Sequence, residues 1–242
     1  MTGRWFRTHP AAGPPRKRVL VLPHAGGTAS FYHPWGQESG AGTQVLVAQY
    51  PGRQERWAEP RIERMEELAD EITAALLPFL DVPVTLFGHS MGASLAYEIA
   101  VRLEDRHRVA AHSLHVSSRK APHRLPPRAW HLAADDVLVA EVRALGGTDG
   151  ALLDDPALLE LVLPALRSDF TAVGTYGPRE PTPVSCPVHA YGGDSDPVVT
   201  AADMAAWADV APGGFTRRQF PGGHFYLVEH RAELLGAVDG PR

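Results

Sequence analysis

Three observations predict an α/β fold with a mostly parallel central sheet flanked by helices. Short, uninterrupted apolar runs recur along the chain, the mark of strands covered on both faces. Segments of helical periodicity alternate with those runs. The stretch Val84-Thr85-Leu86-Phe87 then breaks into Gly88-His89-Ser90-Met91-Gly92, a G-x-S-x-G sequence that leads straight into an Ala-rich helical pattern. The 242 residues fit one domain, 1–242, with room for a large core.

Composition narrows the function classes. Hydrophobic residues are 44% and charged residues 21%, which excludes disordered and fibrous chains. A net charge of -5 gives no general pull toward nucleic acid or anionic membranes, so neither is expected as a partner. The one cysteine, Cys186, permits no internal disulfide and fits a reducing compartment. Between Ser185 and Pro187 it makes a poor catalytic thiol. Residues 1–18 carry Arg, Lys and Pro but no apolar signal core, and no run approaches the ~18 apolar residues of a membrane helix. A cytoplasmic location is expected.

In chain order, Val19–Leu22 is the first buried strand, ending in Pro23-His24-Ala25-Gly26-Gly27. Glycines directly after a strand let backbone N–H groups face a ligand, which suits an oxyanion hole; a plain turn is the alternative. His24 reads as an ordinary loop residue. Val45–Ala48 is the next strand and meets a turn at Tyr50-Pro51-Gly52-Arg53. Met65, Leu68, Ile72, Leu76 and Phe79 then mark an amphipathic helix that Pro78 should kink or end. The Ser90 strand follows, then a helix with Leu95, Ile99 and Leu103 among small alanines, and a strand at Ser113–Ser117.

Residues 119–180 exceed the dozen or so needed for a crossover and read as a helical lid insertion. Asp135 and Asp136 start a helix that Gly146 and Gly147 stop. Pro156 opens a second helix whose run Leu158–Leu163 is apolar nearly all round, so it is expected to be covered on all sides, facing both the body and an acyl pocket. Ordinary core helices are the alternative. Val188–Tyr191 is the next strand, ending in Gly192-Gly193-Asp194-Ser195-Asp196-Pro197. A helix at Thr200–Trp207, a strand at Phe215–Phe220, the loop Pro221-Gly222-Gly223-His224-Phe225 and a helix at Leu227–Val238 complete the chain.

Serine, acid and histidine occur at strand ends in the order Ser90, Asp196, His224, which is that of the α/β-hydrolase fold. Ser90 is the expected nucleophile, His224 its base, and Asp196 the group that orients the imidazole. The N–H groups of Ala25 and Met91 are the expected oxyanion donors. Asp194 competes with Asp196, which is favoured because Pro197 holds it extended. Among the 12 histidines, His89 is given a packing role, and His123, His131 and His230 lack a comparable setting. No H-E-x-x-H or Cys/His cluster occurs, so neither a metal nor a cofactor is implied.

Pro23-His24-Ala25-Gly26-Gly27, Tyr50-Pro51-Gly52-Arg53, Gly88-His89-Ser90-Met91-Gly92-Ala93, Gly192-Gly193-Asp194-Ser195-Asp196-Pro197 and Gly222-Gly223-His224-Phe225 together resemble the motif series of type II thioesterases. These are the editing enzymes of polyketide synthases and nonribosomal peptide synthetases. The resemblance extends to Trp5-Phe6 and to Leu163–Phe170, which is similar to the family's lid helix. It implies hydrolysis of acyl groups from the phosphopantetheine arms of acyl or peptidyl carrier proteins; separately, a monomer is expected. Carrier proteins are acidic, and Arg119, Lys120, Arg124 and Arg128 are candidate docking residues, with a solvated surface the equal alternative. A chain-releasing medium-chain thioesterase or a small-molecule carboxylesterase is the second enzymatic reading; a noncatalytic acyl-carrier binding protein is the reading from another class.

Overall fold

A computed structural model describes residues 4–126, 129, 132–147 and 153–240. Its centre is one seven-stranded sheet in the order β1-β3-β2-β4-β5-β6-β7. The strands are β1 (Phe6–His9), β2 (Lys17–Leu22), β3 (Thr43–Ala48), β4 (Val84–His89), β5 (Ser113–Ser117), β6 (Val188–Gly193) and β7 (Phe215–Phe220). Only β1 is antiparallel to its neighbour, pairing Phe6 with Ala48. The other pairs are parallel, with Leu20 flanked by Leu46 and Leu86.

Period-two alternation along β2 and β3 divides the core between the two faces of the sheet. Leu20, Leu22 and Leu46 face one layer, where α2 (Met65–Leu76) contributes Leu68 and Ile72 and α3 (Met91–His107) contributes Leu95 and Ile99. Val19, Val21, Val45 and Val47 face the other, against Trp35 of α1 (His33–Glu38) and Leu234, Leu235 and Val238 of α7 (Arg231–Asp239). Between β5 and β6 lie α4 (Asp135–Leu145) and α5 (Pro156–Thr175), which share a third cluster of Leu138, Val142, Leu153, Leu166 and Phe170. Gly146 closes α4 in the left-handed region at φ 81°.

The structure departs from expectation in a few places. The pairing of β1 was not foreseen: Phe6-Arg7-Thr8-His9 is short and mostly exposed, with little apolar pattern. The helix expected at Thr200–Trp207 is α6 (Ala201–Ala205), capped by Thr200 and continued as a 3-10 turn through Val210. The last helix begins at Arg231, not Leu227, because residues 221–230 are spent on bends and turns that carry His224. The expectation that the Leu158–Leu163 run is covered on all sides is corrected: Leu158 is 43% and Leu161 50% exposed. The buried part of α5 is its second half, where Ala165, Leu166, Ser168, Asp169, Phe170 and Ala172 are covered. Asp155 caps this helix through the N–H groups of Ala157 and Leu158. Among the described residues no helix is long and apolar enough to cross a membrane.

Candidate active site

Ser90 stands between β4 and α3 with φ 54° and ψ -117°. A non-glycine residue there is strained, and two neighbouring glycines make the turn possible. A Cβ on Gly92 would lie 1.9 Å from the Leu22 carbonyl oxygen, and one on Gly88 would lie 2.0 Å from that of Gly92. The helix therefore approaches the strands backbone to backbone. The Ser90 N–H donates to Ser117 O at 2.8 Å, which fixes the apex against β5.

The two carboxylates after β6 have separate partners. Asp196, with its side chain fully buried, places both oxygens beside His224 Nδ1, at 3.1 and 3.0 Å. Its Oδ1 also accepts from the N–H groups of Val198 and Val199. Burial raises the pKa of this carboxyl, but the His224 hydrogen bond and charge, with the Val198 N–H and the Ser118 hydroxyl, leave it below the usual value. Asp194 is exposed and braces the histidine loop instead, accepting from Gly222 N at 3.0 Å. A Cβ on Gly193 would fall 2.2 Å from Gly222 O, so the acid and histidine loops touch through their backbones. His224 is buried, and its Nε2 has no hydrogen-bond partner among the described residues.

The loop after β2 is gripped from three sides. Tyr50 donates its hydroxyl to Pro23 O at 2.9 Å. Arg53 donates to Gly27 O at 3.1 Å and makes a two-pronged pair with Asp169 of α5, each contact 2.7 Å. Asp169 Oδ2 also accepts from Gly26 N at 2.7 Å, and Gly27 N donates to His24 O. Of the three successive amides at residues 25–27, only that of Ala25 has no acceptor among the described residues. The Met91 N–H belongs to the first turn of α3, which has no intrahelical acceptor. The Ala25 N–H thus comes from the loop after β2 and the Met91 N–H from the turn after β4.

A cavity of about 90 Å³ is lined by Ser90, His224 and Ala25, with Leu125, Phe170 and Tyr176 among its apolar walls. His24 is not a loose loop residue: it is 5% exposed and its ring packs on Phe31 and Phe225. Burial first, then the charges of His224 and Arg53, push its pKa down to about 3, so it is neutral at ordinary pH. His89 is fully buried, bonds Ser117 through Nδ1 at 2.9 Å and lies 5.2 Å ring to ring from His224. His123 faces Asp209 and His230 faces Glu233. Arg119 and Lys120 border the cavity, Arg119 donating to Ser94 and Lys120 pairing with Asp203, while Arg124 is exposed. Arg128 and His131 lie outside the described residues. Among those described, no group of three or more His, Cys, Asp or Glu could hold a metal.

Comparison with known proteins bears on this arrangement. A family model described as "Thioesterase domain" matches residues 17–240. The chain belongs to the thioesterase family. It is 44% identical over 238 residues to "Thioesterase PikA5" of Streptomyces venezuelae, spanning 98% of this chain and 85% of that one. Among solved structures it resembles "Structure of the type II thioesterase BorB from the borrelidin biosynthetic cluster", at 44% identity and a TM-score of 0.89, covering 97% of this chain and 96% of that one. It likewise resembles "RedJ-Thioesterase from the Prodiginine biosynthetic pathway in Streptomyces coelicolor", at 37% identity and a TM-score of 0.87, covering 95% and 94%. This thioesterase therefore has the α/β-hydrolase fold and hydrolyses thioesters.

Sequence reasoning assigned no role to Ser118, Tyr50, Arg53 or Asp169. The signal available for Asp169 was a carboxylate directly before Phe170 in a helix with a buried face, which needs a partner when buried.

Proposed function

We propose that this thioesterase is of the type II, editing kind, clearing acyl or aminoacyl groups from the phosphopantetheine arms of carrier proteins in polyketide or nonribosomal peptide assembly. The nearly end-to-end match to BorB carries this reading. In the mechanism, His224 Nε2 takes the Ser90 proton as Oγ attacks the thioester carbonyl. Asp196 holds the imidazole by Nδ1 and stabilises the imidazolium. The Ala25 and Met91 N–H groups receive the oxyanion, a contribution on the order of 3 kcal/mol for one donor. Collapse breaks the C–S bond; the pantetheine thiolate leaves with the His224 proton and the acyl group stays on Ser90. Water then attacks the ester, giving its proton to His224, which returns it to Ser90 as the acid departs.

The segment 119–180 acts as a lid in this scheme: Phe170 and Tyr176, from α5 and its end, help to wall the cavity at Ser90.

Mass spectrometry of carrier proteins loaded with acetyl, propionyl, hexanoyl and aminoacyl groups tests the reading. Unloading by the wild type but not by Ser90→Ala is expected. Cleavage of simple esters with every carrier left loaded would overturn it in favour of a carboxylesterase.

A further inference from the structure

We propose that Arg53 and Asp169 are positioning residues for catalysis, holding the loop after β2 so that the Ala25 N–H stays directed to the oxyanion. The inference rests on the proposed role of Ala25.

Three features separate this pair from an ordinary ion pair. First, it is buried: the Arg53 and Asp169 side chains are 6% and 1% exposed. A buried pair of this kind is a poor source of net stability, because desolvation offsets most of the attraction. Second, its remaining hydrogen bonds go to the loop's backbone, at Gly26 N and Gly27 O, the residues immediately after Ala25. The amide of Gly26 is engaged by Asp169 at 2.7 Å, while the neighbouring Ala25 amide has no acceptor among the described residues. Third, the two residues arrive from different segments. Arg53 follows β3, and Asp169 belongs to the buried half of α5, whose Phe170 lines the acyl cavity beside Ser90.

The wall of the cavity and the oxyanion loop are therefore linked by one carboxylate. Gly26 takes φ 75°, a backbone conformation that glycine adopts freely, and Leu166 of α5 packs against it. A planar guanidinium and a carboxylate that together fix an N–H, a C=O and each other leave the loop little rotational freedom. An oxyanion donor works because it is in place before charge develops. Displacing it by about 1 Å costs on the order of 100-fold in rate.

Asp169→Asn keeps an oxygen able to accept from Gly26 but leaves the Arg53 charge uncompensated; Arg53→Lys keeps the charge but loses the fork. Asp239→Asn is the control for stability: Asp239 is also buried and pairs with Lys17, at the start of β2, the opposite end of that strand from the loop. Three quantities are measured for each protein on an acetyl-pantetheine thioester and an acetyl-type trifluoromethyl ketone, which mimics the tetrahedral adduct: kcat, KM and ketone affinity. Asp169→Asn is expected to lower kcat and ketone affinity in parallel, by about 100-fold, with KM within about 3-fold of wild type. Arg53→Lys should fall between, and Asp239→Asn should lose stability but neither kcat nor ketone affinity.

A separate variant carries lactic acid in place of Ala25, replacing its N–H by an ester oxygen. Loss of kcat in this variant and in Asp169→Asn supports the proposal. Loss in the lactate variant with normal kcat in Asp169→Asn overturns the positioning role and leaves the Ala25 assignment standing. Normal kcat in the lactate variant removes the Ala25 assignment and the proposal with it.

Discussion

Tyr176, at the end of the helix that covers the acyl cavity, donates its hydroxyl to Glu98 Oε1 at 2.7 Å, inside the body of the protein. Glu98 is 5% exposed and is also held by Arg179 and Arg102. Removing only the hydroxyl, in Tyr176→Phe, leaves a buried carboxylate one donor short. A loss of about 1–3 kcal/mol is expected from urea unfolding; an unchanged midpoint would mean that the arginines alone satisfy Glu98.

The strain at Ser90 should be measurable. Ser90→Ala keeps a Cβ at φ 54° and is expected to abolish turnover with little change in stability. Ser90→Gly should also be inactive but more stable than Ser90→Ala by about 1 kcal/mol, because glycine tolerates that backbone region. Equal unfolding free energies for the two variants would contradict a strained turn.

Glycine has opposite values at two helical positions. Gly92→Ala drives a Cβ into the Leu22 and Pro23 carbonyls, 1.9 and 2.7 Å away, and should cost 3 kcal/mol or more, about the upper end for overpacking. Gly236→Ala, within α7, meets nothing within 4 Å and should gain about 0.5–1 kcal/mol from helix propensity. Thermal melts of the two variants in opposite directions would verify both.

Acid sensitivity follows from the buried imidazoles. Burial lowers the pKa of His24 to about 3 and takes those of His89 and His115 well below the normal value of 6.5. Folded, these rings stay neutral; unfolded, they bind protons below pH 6.5. The unfolded state therefore binds more protons, and stability falls as pH drops from 6.5, by up to about 1.4 kcal/mol per unit for each ring. His115, which bonds Ser113 and Tyr191 away from the cavity, is the clean probe. His115→Gln should reduce the slope of unfolding free energy between pH 6.5 and 5 by up to about 1.4 kcal/mol per pH unit, the share of one ring; an unaltered slope would show that His115 is already protonated in the fold.

Much of this architecture could be read locally. β7 runs from Phe215 to Phe220 and α4 from Asp135 to a stop at Gly146, as expected, because strand-bounding turns and helix caps are decided within a few residues. The Ser90 turn was equally legible, since only glycines on both sides let helix and strand touch. By contrast, Phe6–His9 becomes a strand only because β3 offers it an edge, and Leu158 and Leu161 are exposed although their run is the most apolar of its helix. Periodicity reports what a segment could bury, and neighbours decide what it does bury.

The amino-acid sequence alone determined where strands, helices and the Ser90 turn lie, because backbone sterics and hydrophobic period act over short distances. It also placed Asp194, Asp196 and His224 at strand ends. Only the closed tertiary structure decided that Asp196 and not Asp194 meets His224, since that depends on how two glycine loops pack together. It alone joined Arg53 to Asp169. A buried charge finds its partner only when segments far apart in the chain are brought out of water together.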